Sequence, residues 1–270
     1  MKISKGDKTM DFTTIILEKK EGIAKIILNR PEALNAVNKT MVEELYAAAE
    51  DIEEDEAIKV VVISGKGRAF SAGADLKYTK GALEDPHQMA EFLRLWHKAY
   101  NAIENLSKPV IAAINGFALA GGLELVEACD IAIASEEARL GDQHANFGLM
   151  PGGGGTQRLP RLVGIRKAKE LLFSGDWVSP QEAERIGLVN RVVPAEKLEE
   201  AVDEMAIKLA EKSPLATKAM KAAVNRGMQT DLATALELEI GAILHHFTSE
   251  DVIEGINAFE EKRKPVFKGK

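Results

Sequence analysis

The sequence predicts an α/β fold whose core is built from ββα units, followed by a helical region. Three observations carry this. Apolar extended runs alternate with helical periodicity from about residue 23 to 136. A hairpin signal, Lys19–Lys20–Glu21–Gly22, sits between two β-branched runs near the start, suggesting paired strands. Past Leu162 the strand signal fades, and from Pro194 onward the periodicity is helical.

Residues 1–11 are polar and read as a loose tail. Thr13 to Leu17 and Ile23 to Leu28 read as the two hairpin strands, with Asn29–Arg30–Pro31 ending the second. Met41, Leu45, Ala48 and Ile52 recur at helical spacing and make one apolar face. Val60 to Ile63 is an unbroken apolar run, as in a strand buried on both sides. The segment 65–75, GKGRAFSAGAD, reads as a loop of small residues, and 82–105 as helix, with Met89, Phe92, Leu95, Trp96 and Ile103 on its apolar faces. Val110 to Ile114 is a second buried strand, and Gly121–Gly122 opens a short helical segment that carries Glu124. Ile131 to Ala134 is another strand, followed by a polar loop holding His144 and then by Gly152 to Gly155. Val189 to Val193 is the last extended run. Three helical stripes follow: Leu198, Val202, Met205 and Leu209; Leu232, Leu236, Ile240 and Leu244; and Val252, Ile256 and Phe259. We expect an α/β core over 12–193 and a helical subdomain over 194–270, packed on the core or on a neighbouring subunit.

A chain of 270 residues is long enough to bury a sizeable core. Its net charge of −7 argues against nucleic acid or an anionic membrane as main partner. No apolar run approaches the ~18 residues that span a bilayer. The single cysteine, Cys129, excludes an intrachain disulfide, and the start MKISKGDKTMDF has no apolar signal core, so the expected location is the cytoplasm.

Several common chemistries are not encoded. GKGRAFSAG and GGGGTQR lack the order or the lysine of a phosphate loop, and neither has GxGxxG between strand and helix. The five histidines have no metal-ligand spacing, so no metal site is expected, and no GxSxG turn is present. Carboxylates, one histidine and backbone amides remain. SAGAD and ALAGG each follow a buried strand, and two N–H groups converging from such loops would stabilise charge on a carbonyl oxygen. The same small residues suit two tight packed turns, and the residues alone leave both readings open. So it is with Glu124. Flanking Leu123, Leu125 and Val126 would desolvate it for acid/base work, but it also suits a solvated first helical turn, and Glu127 competes with it. A lone histidine in a polar loop, as His144 is, is more often a surface or supporting residue than a catalyst.

Six segments in this order resemble the crotonase, or enoyl-CoA hydratase/isomerase, superfamily: NRPEALNA at 29–36, AFSAGADL at 69–76, KPVIAAINGFALAGGLEL at 108–125, PGGGGTQRL at 151–159, GLVNRVVP at 187–194 and FEEKRKP at 259–265. The resemblance implies a crotonase-like spiral core of ββα units with a C-terminal helical trimerisation region, a homotrimer or hexamer, and an acyl-CoA thioester substrate with no separate cofactor. It also implies an oxyanion hole from the N–H groups of Ala74 and Gly121. Ala33, Leu34, Ala72 and Leu76 would line the nucleotide and pantetheine path, and Gly152 would border the water pocket. In two-glutamate hydratases the first acid maps to Glu124, but the second, twenty residues on, maps to His144. The departure bears on both hydration and isomerisation, although a Glu124–His144 pair can still exchange protons near neutrality. The expected activity is that of an enoyl-CoA hydratase-like hydro-lyase. Isomerase or acyl-CoA hydrolase chemistry on the same platform is the alternative, and a non-catalytic binding member comes third.

Overall fold

The computed structural model describes residues 11–82 and 84–270, so most of the expected N-terminal tail lies outside the described residues. Strands β1 (Ile15–Lys20) and β2 (Ile23–Leu28) form the hairpin. Its turn is tighter than the sequence suggests: only Glu21 and Gly22 lie between the strands, both with positive φ (51° and 80°). A two-residue turn of that hand matches the twist of the strands it joins. Helix α1 (Lys39–Glu54) follows, capped by the Asn38 side chain, which accepts from the Met41 N–H. It buries Met41, Leu45, Ala48 and Ile52, as their spacing predicts.

Strand β3 (Val60–Gly65) leads into β4 (Ala69–Ser71), a short strand inside the segment expected to be loop. Helix α2 (Leu76–Ala82) comes next and is separate from α3 (Pro86–Glu104). Two features start α3 there: Pro86 occupies its first position, and the Asp85 carboxylate accepts from the N–H groups of His87 and Gln88. The helix expected over 82–105 is therefore α3, which starts at Pro86, and α2 is a separate helix that the periodicity did not indicate. Strands β5 (Val110–Ile114) and β6 (Phe117–Leu119), helix α4 (Gly121–Glu127), and strands β7 (Ile131–Ser135) and β8 (Arg139–Gly141) continue the alternation. A 3₁₀ turn at His144–Phe147 precedes α5 (Gly155–Val163), α6 (Ile165–Ser174), α7 (Pro180–Arg185) and β9 (Arg191–Val193).

The strands divide into a six-stranded sheet, β1-β2-β3-β5-β7-β9, parallel except for the hairpin, and a parallel three-stranded sheet, β4-β6-β8. The ββα repeat thus arises differently from the hairpin that suggested it. Each long strand (β3, β5, β7) sends its chain into a short strand of the second sheet. Strand alternation explains why the long strands are apolar throughout. Val61, Ile63, Ala112 and Ile114 face the main core with α1 and α3, while Val60, Val62, Ile111 and Ile133 face the other side.

That other side is covered by α8 (Leu198–Ala210), through Leu198, Ala201, Val202 and Ala206. Helices α9 (Pro214–Gly227), α10 (Leu232–His246) and α11 (Glu250–Glu260) bury very little: α9 and α10 have no buried residue and α11 only Asp251 and Ala258. No helix of the described residues is long and apolar enough to cross a membrane.

Candidate active site

The short strands bring the two small-residue turns together at one end of the second sheet. Beyond β4, Val37 N–H donates to the Gly73 carbonyl (2.7 Å) and Asp75 N–H donates to the Val37 carbonyl (2.9 Å). This extended pairing at Ala74 turns its own N–H to the opposite side. An ion pair from Arg30 to Asp75 (2.9 Å) holds the end of the loop; burial works against the Asp75 charge, but the Arg30 hydrogen bond keeps its carboxyl below the usual range. Beyond β6, Ala120 has φ 48° and ψ −121°, a conformation that costs an alanine on the order of 1–3 kcal/mol and that sets the entry into α4.

Gly121 is the first residue of α4, so its N–H lacks an intrahelical partner and sits at the positive end of the helix. A Cβ on Gly121 would stand 3.6 Å from the Ala74 nitrogen and 2.5 Å from the Trp96 ring. The two turns are therefore neighbours, and there is no room for a side chain between them and α3. Among the described residues neither the Ala74 nor the Gly121 N–H has a hydrogen-bond partner. The Tyr100 hydroxyl, on α3, donates to the Gly121 carbonyl (2.9 Å). Burial pushes that phenol well up, which keeps it a donor. Gly122 packs on β4 so closely that a Cβ would meet the Ser71 carbonyl oxygen at 2.3 Å.

Glu124 lies one turn into α4 and is 1 % exposed. Its Oε1 accepts from the N–H groups of Gly153 and Gly155, each at 2.8 Å. Oε2 accepts no hydrogen bond among the described residues. Burial raises the Glu124 carboxyl above its ordinary range, opposed by the Gly155 and Gly153 N–H groups and by the charge of His144. The competitor Glu127 is also buried, but among the described residues neither of its oxygens has a partner. Burial, then the charges of Glu124 and Asp142, push it well above the usual carboxylate range. Two N–H donors and a free oxygen distinguish Glu124 as the group able to carry charge.

His144 is not a surface residue: it is 9 % exposed, at the start of the 3₁₀ turn. Its Nδ1 lies 2.9 Å from Oδ1 of Asp142. Burial lowers its proton affinity, but the Asp142 hydrogen bond and charge and the Glu124 charge outweigh that, and the net shift is upward.

The remaining expected residues fall around this centre unevenly. Leu34 is joined to Ala72, whose N–H donates to the Leu34 carbonyl (2.9 Å), and Ala33 precedes it in a 3₁₀ turn. The junction is secured by buried Asn35, whose amide donates to the Lys66 and Ala69 carbonyls. Leu76 opens α2 and is 54 % exposed. Gly152 sits against Leu93 of α3 and does not touch Glu124 through a hydrogen bond. The glycines that hold Glu124 are Gly153 and Gly155. A Cβ on Gly153 would lie 2.7 Å from Glu124 Oε2 and 2.9 Å from Trp96 Nε1.

Sequence reasoning also missed Tyr100, Asp142 and Arg158. Buried Arg158 donates to the Gly153 carbonyl, to Asn101 and to Glu104, tying the glycine turn to α3. Its only signal was a charged residue on the apolar side of a helix start; Asp142, two residues before His144, was legible as a candidate partner.

The family model for enoyl-CoA hydratase/isomerase matches residues 18–270. A protein named crotonyl-CoA hydratase from Syntrophomonas wolfei is 44 % identical, covering 96 % of this chain and 99 % of the relative. A short-chain-enoyl-CoA hydratase from Clostridium acetobutylicum is 43 % identical, covering 94 % and 97 %. The crystal structure of an enoyl-CoA hydratase from Bacillus anthracis superposes with a TM-score of 0.92 at 42 % identity, covering 96 % of this chain and all of that one. The paired turns at Ala74 and Gly121 and the acid beside them therefore sit on a fold whose lineage is clear, and the chain belongs to the enoyl-CoA hydratase/isomerase family.

Proposed function

We propose that this chain is a hydro-lyase that adds water to, or removes it from, an acyl-CoA thioester. The observation that carries the reading is the proximity of two N–H groups, Ala74 and Gly121, that have no partner among the described residues, to a buried carboxylate with one oxygen that accepts no hydrogen bond from them. Donors placed where charge develops lower the barrier most when water is excluded. The thioester carbonyl takes its place between the two N–H groups. In hydration the water oxygen bonds Cβ, and the C=C π pair moves through Cα onto the thioester oxygen as an enolate. One proton leaves water and one arrives at Cα, so the site needs one acceptor and one donor. Glu124 and His144 supply them, and the charge of each favours the charge of the other. Ala33, Leu34, Ala72 and Leu76 lie along the nucleotide and pantetheine path, and Gly152 borders the site of water.

The helical region has a second role. Leu232, Leu236, Ile240 and Leu244 are each at least 49 % exposed, and Phe259 is 85 % exposed. Apolar area on this scale calls for a covering surface, and we assign it to assembly as a homotrimer or a hexamer. A cavity of about 540 Å³ between α9 and α10 shares no lining residue with the Glu124 centre.

The test is a set of enoyl-, β-keto- and hydroxyacyl-CoA thioesters with product masses read out. Hydration of a short enoyl-CoA, seen as a gain of one water, is the expected result. Release of free CoA or a shifted double bond without added water would replace this reading by hydrolysis or isomerisation.

A further inference from the structure

The mechanism above uses His144 but leaves unexplained how a histidine fills that position. A free imidazole can carry its neutral proton on either nitrogen and can rotate, so by itself it is a poorly defined acid or base. Here three contacts to one residue define it. Asp142 Oδ1 lies 2.9 Å from His144 Nδ1, the His144 N–H approaches the same oxygen at 3.3 Å, and it donates to the Asp142 carbonyl at 2.8 Å. Asp142 is itself 1 % exposed, and its second oxygen, Oδ2, is buried with no partner among the described residues. A buried carboxylate that directs its hydrogen bonding to one residue and leaves the other oxygen without a partner is costly. A stability role alone gives no reason to retain it.

Resting on the hydro-lyase reading, we propose that Asp142 is a positioning residue for the reaction: it holds the proton on Nδ1 of His144 and leaves Nε2 as the proton-exchanging end. Among the described residues Nε2 makes no hydrogen bond. The chemistry balances without proton transfer to Asp142. The Nδ1–H stays on the ring, the proton taken up or given off moves at Nε2, and the carboxylate keeps its charge and stabilises the imidazolium. Of the charged groups around this pair, Glu124 of α4 acts on His144, the Asp142 charge acts on Glu124 and Glu127, and Arg158 of α5 opposes the rise at Glu127.

The experiment uses the full-length protein with ¹⁵N-labelled histidine, the His144 resonances being assigned by their loss in His144→Gln. The wild type is expected to show the Nδ1-protonated tautomer when neutral. Asp142→Asn removes the charge while its amide oxygen can still accept from Nδ1. The His144 titration should then move down by about one unit, and kcat on a short enoyl-CoA should fall about tenfold or more with KM within about threefold. An unchanged titration or an unchanged kcat in that variant would overturn the proposal. If Asp142→Asn does not fold, the wild-type spectrum still decides, because an Nε2-protonated tautomer contradicts the assignment outright. A wild type that hydrates no enoyl thioester refutes the functional reading instead, and the tautomer measurement stands apart from it.

Discussion

Helices α4 and α10 invert the usual relation between composition and burial. All seven residues of α4 are buried, although two of them are glutamates, whereas none of the fifteen residues of the far more apolar α10 is buried. The first is held in place by its surroundings. Ser71 of β4 packs on Gly122, Trp96 and Tyr100 back its first turn, and Gly153 and Gly155 occupy one oxygen of Glu124. The second lies against α9 and little else in its own chain. One helix keeps carboxylates in a dry place at a cost in stability; the other leaves its apolar surface exposed.

The largest effect should come from breaking the first half of that contrast. Glu124→Gln keeps the shape and removes the acid/base function, so kcat should drop by about 10³, or about 4 kcal/mol of barrier, while acyl-CoA binding stays within a few-fold. Steady-state kinetics with a dissociation constant for a non-reacting acyl-CoA check it, and undiminished turnover removes Glu124 from the mechanism. Next comes Gly121→Ala. A packed indole ring at 2.5 Å cannot yield as a flexible side chain would, so the Ala120–Gly121 turn must shift. We expect a loss of about 10²-fold in kcat with native circular dichroism, since small displacements of a donor are felt strongly in the transition state.

The second half of the contrast is tested by placing charge on α10. Leu236→Glu with Ile240→Lys should leave helical content unchanged and shift the mass in light scattering from oligomer to monomer; an unaltered oligomer would free that face of its assigned role. The smallest effect is expected from Glu127→Gln. Glu127 has a raised folded-state affinity for its proton, so the folded chain holds a proton that the unfolded chain releases above a pH of about 4.3. Its presence costs stability progressively as pH rises from there through the folded value. The variant should thus gain about 1–2 kcal/mol near neutrality and nothing at strongly acid pH, as urea unfolding at both pH values would show.

Local patterning made much of the architecture legible. The Met41–Ile52 stripe, the unbroken runs of β3, β5 and β7, and the helix start at Gly121 all follow from period and from residues with one dominant preference. The second sheet was not legible, because β4, β6 and β8 are three residues each, too short for an alternation to register. The three helical stripes looked equivalent by spacing, yet Leu198 and Val202 cover the chain's own sheet, while Leu236 and Ile240 face outward.

What the sequence by itself determined is the α/β order, from residue type and spacing, and the family, from six ordered segments; it nominated Glu124, His144 and the two turns and left their roles open. Only the tertiary structure decided that Glu124 and not Glu127 has partners, that Gly153 and Gly155 rather than Gly152 hold it, and that His144 is buried against Asp142. The Glu124 outcomes depend on which distant backbone N–H arrives within about 3 Å, and no local pattern records an arrival from thirty residues away.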